Sequence, residues 1–148
     1  RVLFRSLTAP LYWWKEFDTY KVGTVANSCS TMHKIHAKAL ERDDFSHDRL
    51  DEGGLAALDA LLAYLESERQ KFVADKENRQ SWHNLIQLLP SSYNQMRTVT
   101  LNYENLINIY YARRTHKLAE WHTLCDWILT LPYARELIAV RDEQGGKN

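Results

Sequence analysis

The amino-acid sequence predicts an α+β fold that is mainly helical and includes a small antiparallel sheet. Two short segments, residues 2–7 and 97–101, are apolar or β-branched, which is typical of strands. Six other segments carry apolar residues at the spacing of a helix, which places one face of each against a core. Because the 148 residues contain neither an internal repeat nor a clear linker, we expect a single domain.

Composition excludes several classes of protein. The 19 basic and 19 acidic residues cancel, whereas a general binder of nucleic acid polymers would be basic. No apolar run approaches the ~20 residues that cross a bilayer, so we expect no membrane association. The 2 cysteines cannot make the disulfide framework of a secreted protein, and no leader pattern opens the chain, which favours the cytoplasm.

The first predicted helix follows the first strand. Thr8 is a candidate cap and Pro10 suits a first turn, so we expect the helix to reach about Tyr20. Trp13, Phe17 and Tyr20 recur at helical spacing and share one face. An aromatic face of this kind usually belongs to a core.

Residues 23–30 are small and polar and are expected to form a loop. The segment is consistent with a capped turn, or with a loop whose N–H groups and hydroxyls receive an anion. Cys29 lies four residues before His33, an arrangement that can lower the pKa of a thiol. A nucleophile would also need a third placed group, so an exposed or structural cysteine is the simpler interpretation.

The middle of the chain carries no chemical motif. His33 and His36 have the spacing of a metal-binding pair, but no third ligand is fixed, so a solvated loop is favoured. Residues 55–72, which follow the pair Gly53-Gly54, and residues 81–89 predict two helices that pack together.

The last third of the chain predicts three more helices. Asn102 is a good N-cap for a helix that ends near Arg113. Further helices are expected to begin near Lys117 and at Pro132, and residues 144–148 are expected to fray.

Standard catalytic motifs are absent, since the sequence contains no G-x-G-x-x-G, P-loop, G-x-S-x-G or C-x-x-C. A polar group remains in the helix that Asn102 would cap. Asn102 is explained as a cap, Arg113 is favoured by the helix dipole, and Asn108 is mildly unfavourable within a helix. These three residues would indicate a ligand-binding site only if the fold brought their side chains together.

Residues 9–32 and 89–121 together resemble the core of the flavin-dependent thymidylate synthases. In that family an Ala-Pro starts a helix that leads into the motif RHR-x7-S and a polar loop. A Leu-Pro, a strand with Thr-Val, a helix with Asn, Leu, Asn and Arg at fixed intervals, and a Trp then follow. The matching residues here are Ala9, Pro10, Leu89, Pro90, Thr98, Val99, Asn102, Leu106, Asn108, Arg113 and Trp121.

The resemblance implies an enzyme that converts dUMP to dTMP with methylenetetrahydrofolate, FAD and NADPH. It also implies a homotetramer whose active sites combine several subunits, and a longer subunit whose opening strands precede Arg1. Arg113 would read the uracil and take part in catalysis, and Cys29 is the second catalytic candidate. The residues that would contact the cofactor are Tyr20, Lys21, Asn102 and Asn108. Those that would contact the nucleotide, besides Arg113, are Glu16, Asn27, Ser28, Cys29 and Ser30.

The chain departs from the family motif where phosphates are held. The RHR triplet reads Thr19-Tyr20-Lys21, and Cys29 replaces the motif serine. Two further family arginines are replaced by Thr31 and Ile86. Because these changes remove charge-assisted contacts, the phosphate would rely on Lys21 and on the hydroxyls and amides of residues 23–30.

Two alternatives to a thymidylate synthase remain open. One is a relative that binds or modifies a different pyrimidine nucleotide, in which the thiol of Cys29 attacks C6 of the ring. The other is a non-catalytic nucleotide-binding or structural module.

Overall fold

The computed structural model describes residues 2–20, 25–28 and 34–145 and confirms a mainly helical α+β fold. The three strands in these ranges are β1 (Val2–Pro10), β2 (Val25–Ser28) and β3 (Asn94–Asn102). Six α helices have both ends within these ranges: α1 (Leu11–Phe17), α2 (Glu52–Ala74), α3 (Arg79–Leu88), α4 (Tyr103–Arg113), α5 (Ala119–Thr130) and α6 (Ala134–Gly145). A search of the described helices finds none with the length and apolar character needed to cross a membrane.

The three strands form one sheet in the order β1-β3-β2. The hydroxyls of Ser6 and Thr98 are 3.1 Å apart, and the N–H of Leu11 donates to the carbonyl of Tyr93 at 3.0 Å. Residue numbers therefore rise along β1 as they fall along β3, which is the antiparallel arrangement that the sequence predicts.

The boundary between β1 and α1 differs from the prediction. Pro10 ends the strand instead of lying in the first turn of the helix, and Thr8 is an exposed strand residue instead of a cap. The first N–H groups of α1, those of Leu11 and Tyr12, donate to the carbonyls of Tyr93 and Ser91 at 3.0 Å each. These long-range bonds satisfy the groups that a cap would otherwise satisfy.

Two further predictions about local structure were wrong. Residues 25–28, expected to be part of a loop, form the strand beside β3, because pairing with a neighbour outweighs weak strand propensity. Gly53 and Gly54 lie inside the first turn of α2 instead of before it. The side chain of Asp51 caps this turn by accepting from the N–H of Gly54 at 2.8 Å.

The chain divides into two compact units, and the first is called here the central unit. It comprises Leu7–Glu16 and Asn27–Arg97. Helices α2 and α3 pack together in it, as the sequence predicts. One cluster of its buried residues consists of Ile35, Leu40, Phe45, Leu58, Leu62, Leu65 and Leu85.

The second unit, called here the C-terminal unit, comprises Arg1–Ser6, Phe17–Ala26 and Thr98–Asn148. Its buried residues include Val99, Leu101, Leu106, Ile109, Trp121, Leu124 and Ile128. The predicted cap of α4 is confirmed: the side chain of Asn102 accepts from the N–H of Asn105 at 2.8 Å. Helices α5 and α6 each begin two residues later than predicted, and α6 continues to Gly145, where fraying was expected from residue 144.

Candidate active site

Arg113 lies in the last turn of α4, where the helix dipole favours a cation. Its Nε donates to the hydroxyl oxygen of Tyr20 at 2.8 Å. Its Cζ is 4.5 Å from the centroid of the Trp121 ring and 5.5 Å from that of the Tyr20 ring. A guanidinium that donates to a hydroxyl and lies over an indole ring has a defined position and direction.

The aromatic rings beneath Arg113 support one another. Trp121 on α5 has no exposed surface, and Phe17 stacks on it with a centroid distance of 6.5 Å and an interplanar angle of 20°. Tyr20 meets Trp121 edge to face at 6.0 Å, and His116 does so at 6.2 Å. We call Phe17, Tyr20, Arg113, His116 and Trp121 the arginine–aromatic cluster.

This cluster joins residues from three segments of the C-terminal unit. Phe17 and Tyr20 come from the end of α1 and the residues after it, Arg113 from α4, and Trp121 from α5. The side chain of His116 accepts from the N–H of Leu118 at 3.1 Å, which fixes the connection between α4 and α5. The predicted aromatic face of α1 therefore serves both as core and as the support of Arg113.

Asn108 lies on a different side of α4. It is five residues from Arg113, and five residues correspond to about 140° of rotation around a helix. Its side-chain oxygen accepts from Nη1 of Arg141 on α6 at 2.7 Å. Both residues line an open concave site of about 310 Å³, whose other lining residues are Tyr103, Glu104, Ile107 and Leu137.

Arg141 is a candidate binding residue that sequence reasoning missed. Its Cζ is 4.7 Å from the centroid of the Tyr111 ring, and the hydroxyl of Tyr111 donates to the carbonyl of Ile138 at 3.0 Å. No local pattern identifies Arg141, because the asparagine that it binds lies 33 residues away in the sequence.

The other predicted site residues have varied positions. Asn102 is half-buried and engaged in its cap, and Glu16 is half-buried on α1 in the central unit. Asn27 and Ser28 belong to strand β2, of which the backbone is described. The remaining predicted residues, Lys21, Cys29 and Ser30, lie outside the described residues.

The described part of the chain offers few alternative chemical centres. Cys125 is buried, and this burial raises the pKa of its thiol to about 11, so it is not an activated nucleophile. His36, from the predicted metal pair, packs its ring against Phe72 at 5.1 Å, whereas His33 lies outside the described residues. No group of three or more potential metal ligands occurs in the described ranges.

Comparison with solved structures identifies the fold as that of the flavin-dependent thymidylate synthases and a related methylase. ThyX from Helicobacter pylori, complexed with FAD and dUMP, has a TM-score of 0.61 and 16% sequence identity. The match covers 93% of this chain and 70% of that one. PolB from Streptomyces cacaoi, a UMP/dUMP methylase bound with 5-Br UMP, has a TM-score of 0.65 and 13% identity over 94% of this chain and 73% of that one. The sequence itself matches no protein-family model and no curated protein.

Proposed function

We propose that this protein is a flavin-dependent enzyme that methylates C5 of a uracil nucleotide, converting dUMP to dTMP with methylenetetrahydrofolate, FAD and NADPH. The observation that carries this proposal is the arginine–aromatic cluster. The cluster orients the guanidinium of Arg113. In the sequence motif, Arg113 resembles the arginine with which the family reads uracil. ThyX and PolB, which have the same fold, are described with dUMP and with a UMP analogue.

The chemistry of Arg113 suits uracil. A guanidinium donates hydrogen bonds and accepts none, and the ring carbonyls of uracil accept hydrogen bonds. The hydroxyl of Tyr20 and the ring of Trp121 hold this donor in one orientation before substrate arrives, which lowers the entropy lost on binding. Arg113 would therefore bind and orient the base, and its positive charge would stabilise negative charge that develops on the carbonyl oxygens of the ring.

The concave site beside Asn108 fits one part of a flavin. It combines an amide, a guanidinium and the carboxylate of Glu104 with the apolar surfaces of Tyr103, Ile107 and Leu137, a mixture of donors and acceptors that suits a polar ring system. FAD, when bound, would supply the hydride that converts the transferred methylene group to a methyl group. Asn102 and Tyr20 were also expected to contact the cofactor. In the structure the side chain of Asn102 caps α4, and the hydroxyl of Tyr20 accepts from Arg113.

The nucleotide phosphate would be held by the segment that includes Lys21, Asn27, Ser28, Cys29 and Ser30, with a contribution from Glu16 to the sugar or base. Lys21 supplies the positive charge, and the hydroxyls supply donors in place of the family arginines. Fewer charged contacts than in the family predict weaker nucleotide binding.

The active site would be completed by more than one copy of the chain. The proposal is supported by the positions of Arg113 and Asn108, which lie on different sides of α4 and have different partners. In a homotetramer, Asn108 of one copy and Arg113 of another can line the same site. We place this enzyme in the cytoplasm.

The proposal is tested by cofactor binding. Purified protein should take up FAD and show flavin absorbance at about 450 nm. Addition of dUMP should then change that absorbance. A protein that takes up no FAD under any condition would contradict the proposal. Analytical ultracentrifugation with and without FAD tests the tetramer in parallel.

A second candidate function is modification of a different pyrimidine nucleotide. It is favoured by the loss of the family arginines at Thr19, Thr31 and Ile86, and by the shared fold with a methylase that acts on UMP as well as dUMP. In this case the thiol of Cys29 would add to C6 of the ring. Unchanged turnover of Cys29→Ser would exclude such an attack, and a side-by-side assay of UMP, dUMP and dCMP would identify the preferred substrate.

A further inference from the structure

We propose that Tyr20 is a positioning residue that sets the direction of the Arg113 guanidinium and, through it, the preference for uracil over cytosine. This inference rests on the proposed function, in which Arg113 reads the base. It gives Tyr20 a role at the nucleotide, whereas the family resemblance places this residue among those that contact the cofactor.

The geometry at Tyr20 fixes Arg113 in two ways. The Cζ atom of the guanidinium lies over the Trp121 ring, 4.5 Å from its centroid, which sets the position of the group. The bond from Nε to the Tyr20 hydroxyl, at 2.8 Å, sets its direction. Neither contact alone would set both, because stacking on a ring leaves a planar group able to slide and turn.

The same bond selects how Arg113 can meet a ligand. A guanidinium binds planar partners either through the edge that carries Nε and one Nη, or through the edge that carries both Nη groups. Because Nε donates to Tyr20, the protein itself engages the edge that carries Nε, and this bond limits how Arg113 can meet a ring carbonyl.

The ring of Tyr20 is itself held in place. It contacts Trp121 at 6.0 Å and Phe17 at 6.5 Å, and all three side chains are buried or half-buried. The hydroxyl is therefore a fixed point from which Arg113 is directed, and its removal should leave the packing of the ring unchanged.

Direction matters for base selection because uracil and cytosine differ at C4. Uracil carries a carbonyl oxygen there, which accepts, and cytosine carries an amino group, which donates. A donor-only guanidinium fixed against this position pairs with uracil and opposes cytosine. A guanidinium free to turn would lose contact with uracil and would also avoid the cytosine amino group.

The test is Tyr20→Phe, which removes the hydroxyl and keeps the ring. We expect the affinity for dUMP to fall about tenfold, as for loss of a bond to a charged group, and the preference for dUMP over dCMP to narrow by a similar factor. The matched control is Tyr110→Phe, a half-buried tyrosine of α4 whose ring lies 5.7 Å from the Cζ of Arg114. It should leave both quantities unchanged.

The outcomes separate this inference from the proposed function. If Arg113→Ala loses dUMP binding but Tyr20→Phe keeps the dUMP over dCMP preference of the unaltered protein, the positioning role is wrong and the proposed function stands. If Arg113→Ala binds dUMP as the unaltered protein does, Arg113 does not read the base. In that case both the positioning role of Tyr20 and the proposed function are wrong. Thermal unfolding of Tyr20→Phe within the range of Tyr110→Phe supports positioning, because a purely structural role would lower stability without changing base preference.

Discussion

Arg69 in the central unit and Arg113 in the C-terminal unit are both half-buried helical arginines, but they are held by different kinds of partner. Nε and Nη2 of Arg69 donate to the two carboxylate oxygens of Glu66 at 2.7 Å each. Its Nη1 also donates to the carbonyl of His36 at 3.1 Å. In contrast, Nε of Arg113 donates to a phenol, and its face lies on an indole.

We propose from this difference that Arg69 has a structural role and that Arg113 has a binding role. The carboxylate of Glu66 occupies the forked edge of Arg69, and Nη1 of Arg69 ties α2 to the segment that contains His36, so this arginine contributes to stability. The hydroxyl of Tyr20 accepts from Nε of Arg113, and the ring of Trp121 lies against its guanidinium, so an aromatic pair orients this arginine. If these roles are right, substitution of Arg69 should change the free energy of unfolding, and substitution of Arg113 should change the affinity for the nucleotide.

The largest effect is expected from Arg113→Ala, which should weaken dUMP binding about a hundredfold, because the loss removes charge-assisted donors to the base. Isothermal titration calorimetry with dUMP measures the change. Arg114→Ala is the control, since Arg114 is an exposed neighbour whose Cζ lies 4.9 Å from the Tyr111 ring centroid. Equal losses in both variants would show that general positive charge, instead of Arg113, binds the nucleotide.

Arg69→Met should lower the free energy of unfolding by about 1–2 kcal/mol, since Glu66 loses its bidentate partner in a half-buried site. Affinity for dUMP should stay the same. Urea unfolding followed by circular dichroism checks the first point, with Arg79→Met, an exposed arginine of α3, as the comparison. A fall in dUMP affinity with no loss of stability would reverse the assignment of the two arginines.

Arg141→Ala should weaken FAD binding about tenfold and leave dUMP binding to the FAD-saturated protein nearly unchanged, because Arg141 lines the concave site with Asn108. Fluorescence titration with FAD measures this effect. Arg135→Ala on the same helix is the control, since Arg135 binds a backbone carbonyl at 3.3 Å and does not line that site. If the two variants bind FAD equally well, the concave site is not where the flavin lies.

The smallest expected effect is on the stability of the protein at acidic pH. Arg69 lowers the pKa of Glu66 from its ordinary value of 4.5 to about 2, so their bond stabilises the folded state at neutral pH. That contribution is fully present above pH 4.5 and disappears as the pH falls towards 2. Glu66→Gln should therefore flatten the loss of stability over this range, by less than about 1 kcal/mol after allowance for solvent screening. If the stability of Glu66→Gln falls with pH in parallel to that of the unaltered protein, the Glu66–Arg69 pair does not govern stability in acid.

Local patterns in the sequence predicted the parts of this fold that local forces determine. The cap at Asn102, the end of α4 at Arg113 and the apolar stripe of α2 depend on neighbours within a few residues, so their signals are visible in the sequence. The boundary at Pro10 was wrong because the first donors of α1 bind Tyr93 and Ser91, some 80 residues later in the chain.

The candidate site was predictable only in part, for the same reason. The family resemblance identified Arg113 and Asn108, but their partners Tyr20 and Arg141 lie 93 and 33 residues away. The placement of Tyr20 against Arg113 arises from contacts of both residues with Trp121 on α5, which no single segment encodes. Asn108, Arg113 and Tyr20 were therefore visible in the sequence, but Arg141 and the division of these residues between two sides of α4 were not.

The measurement that tests the central claim most directly is release of tritium from dUMP labelled at C5, because methylation replaces the hydrogen at that carbon. The protein is incubated with FAD, NADPH and methylenetetrahydrofolate, with the Arg113→Ala variant as a matched control. We predict release of tritium to water together with formation of dTMP by the unaltered protein, and little of either by the variant. Absence of release from FAD-loaded protein, with all co-substrates present and dUMP bound, would contradict a thymidylate synthase activity.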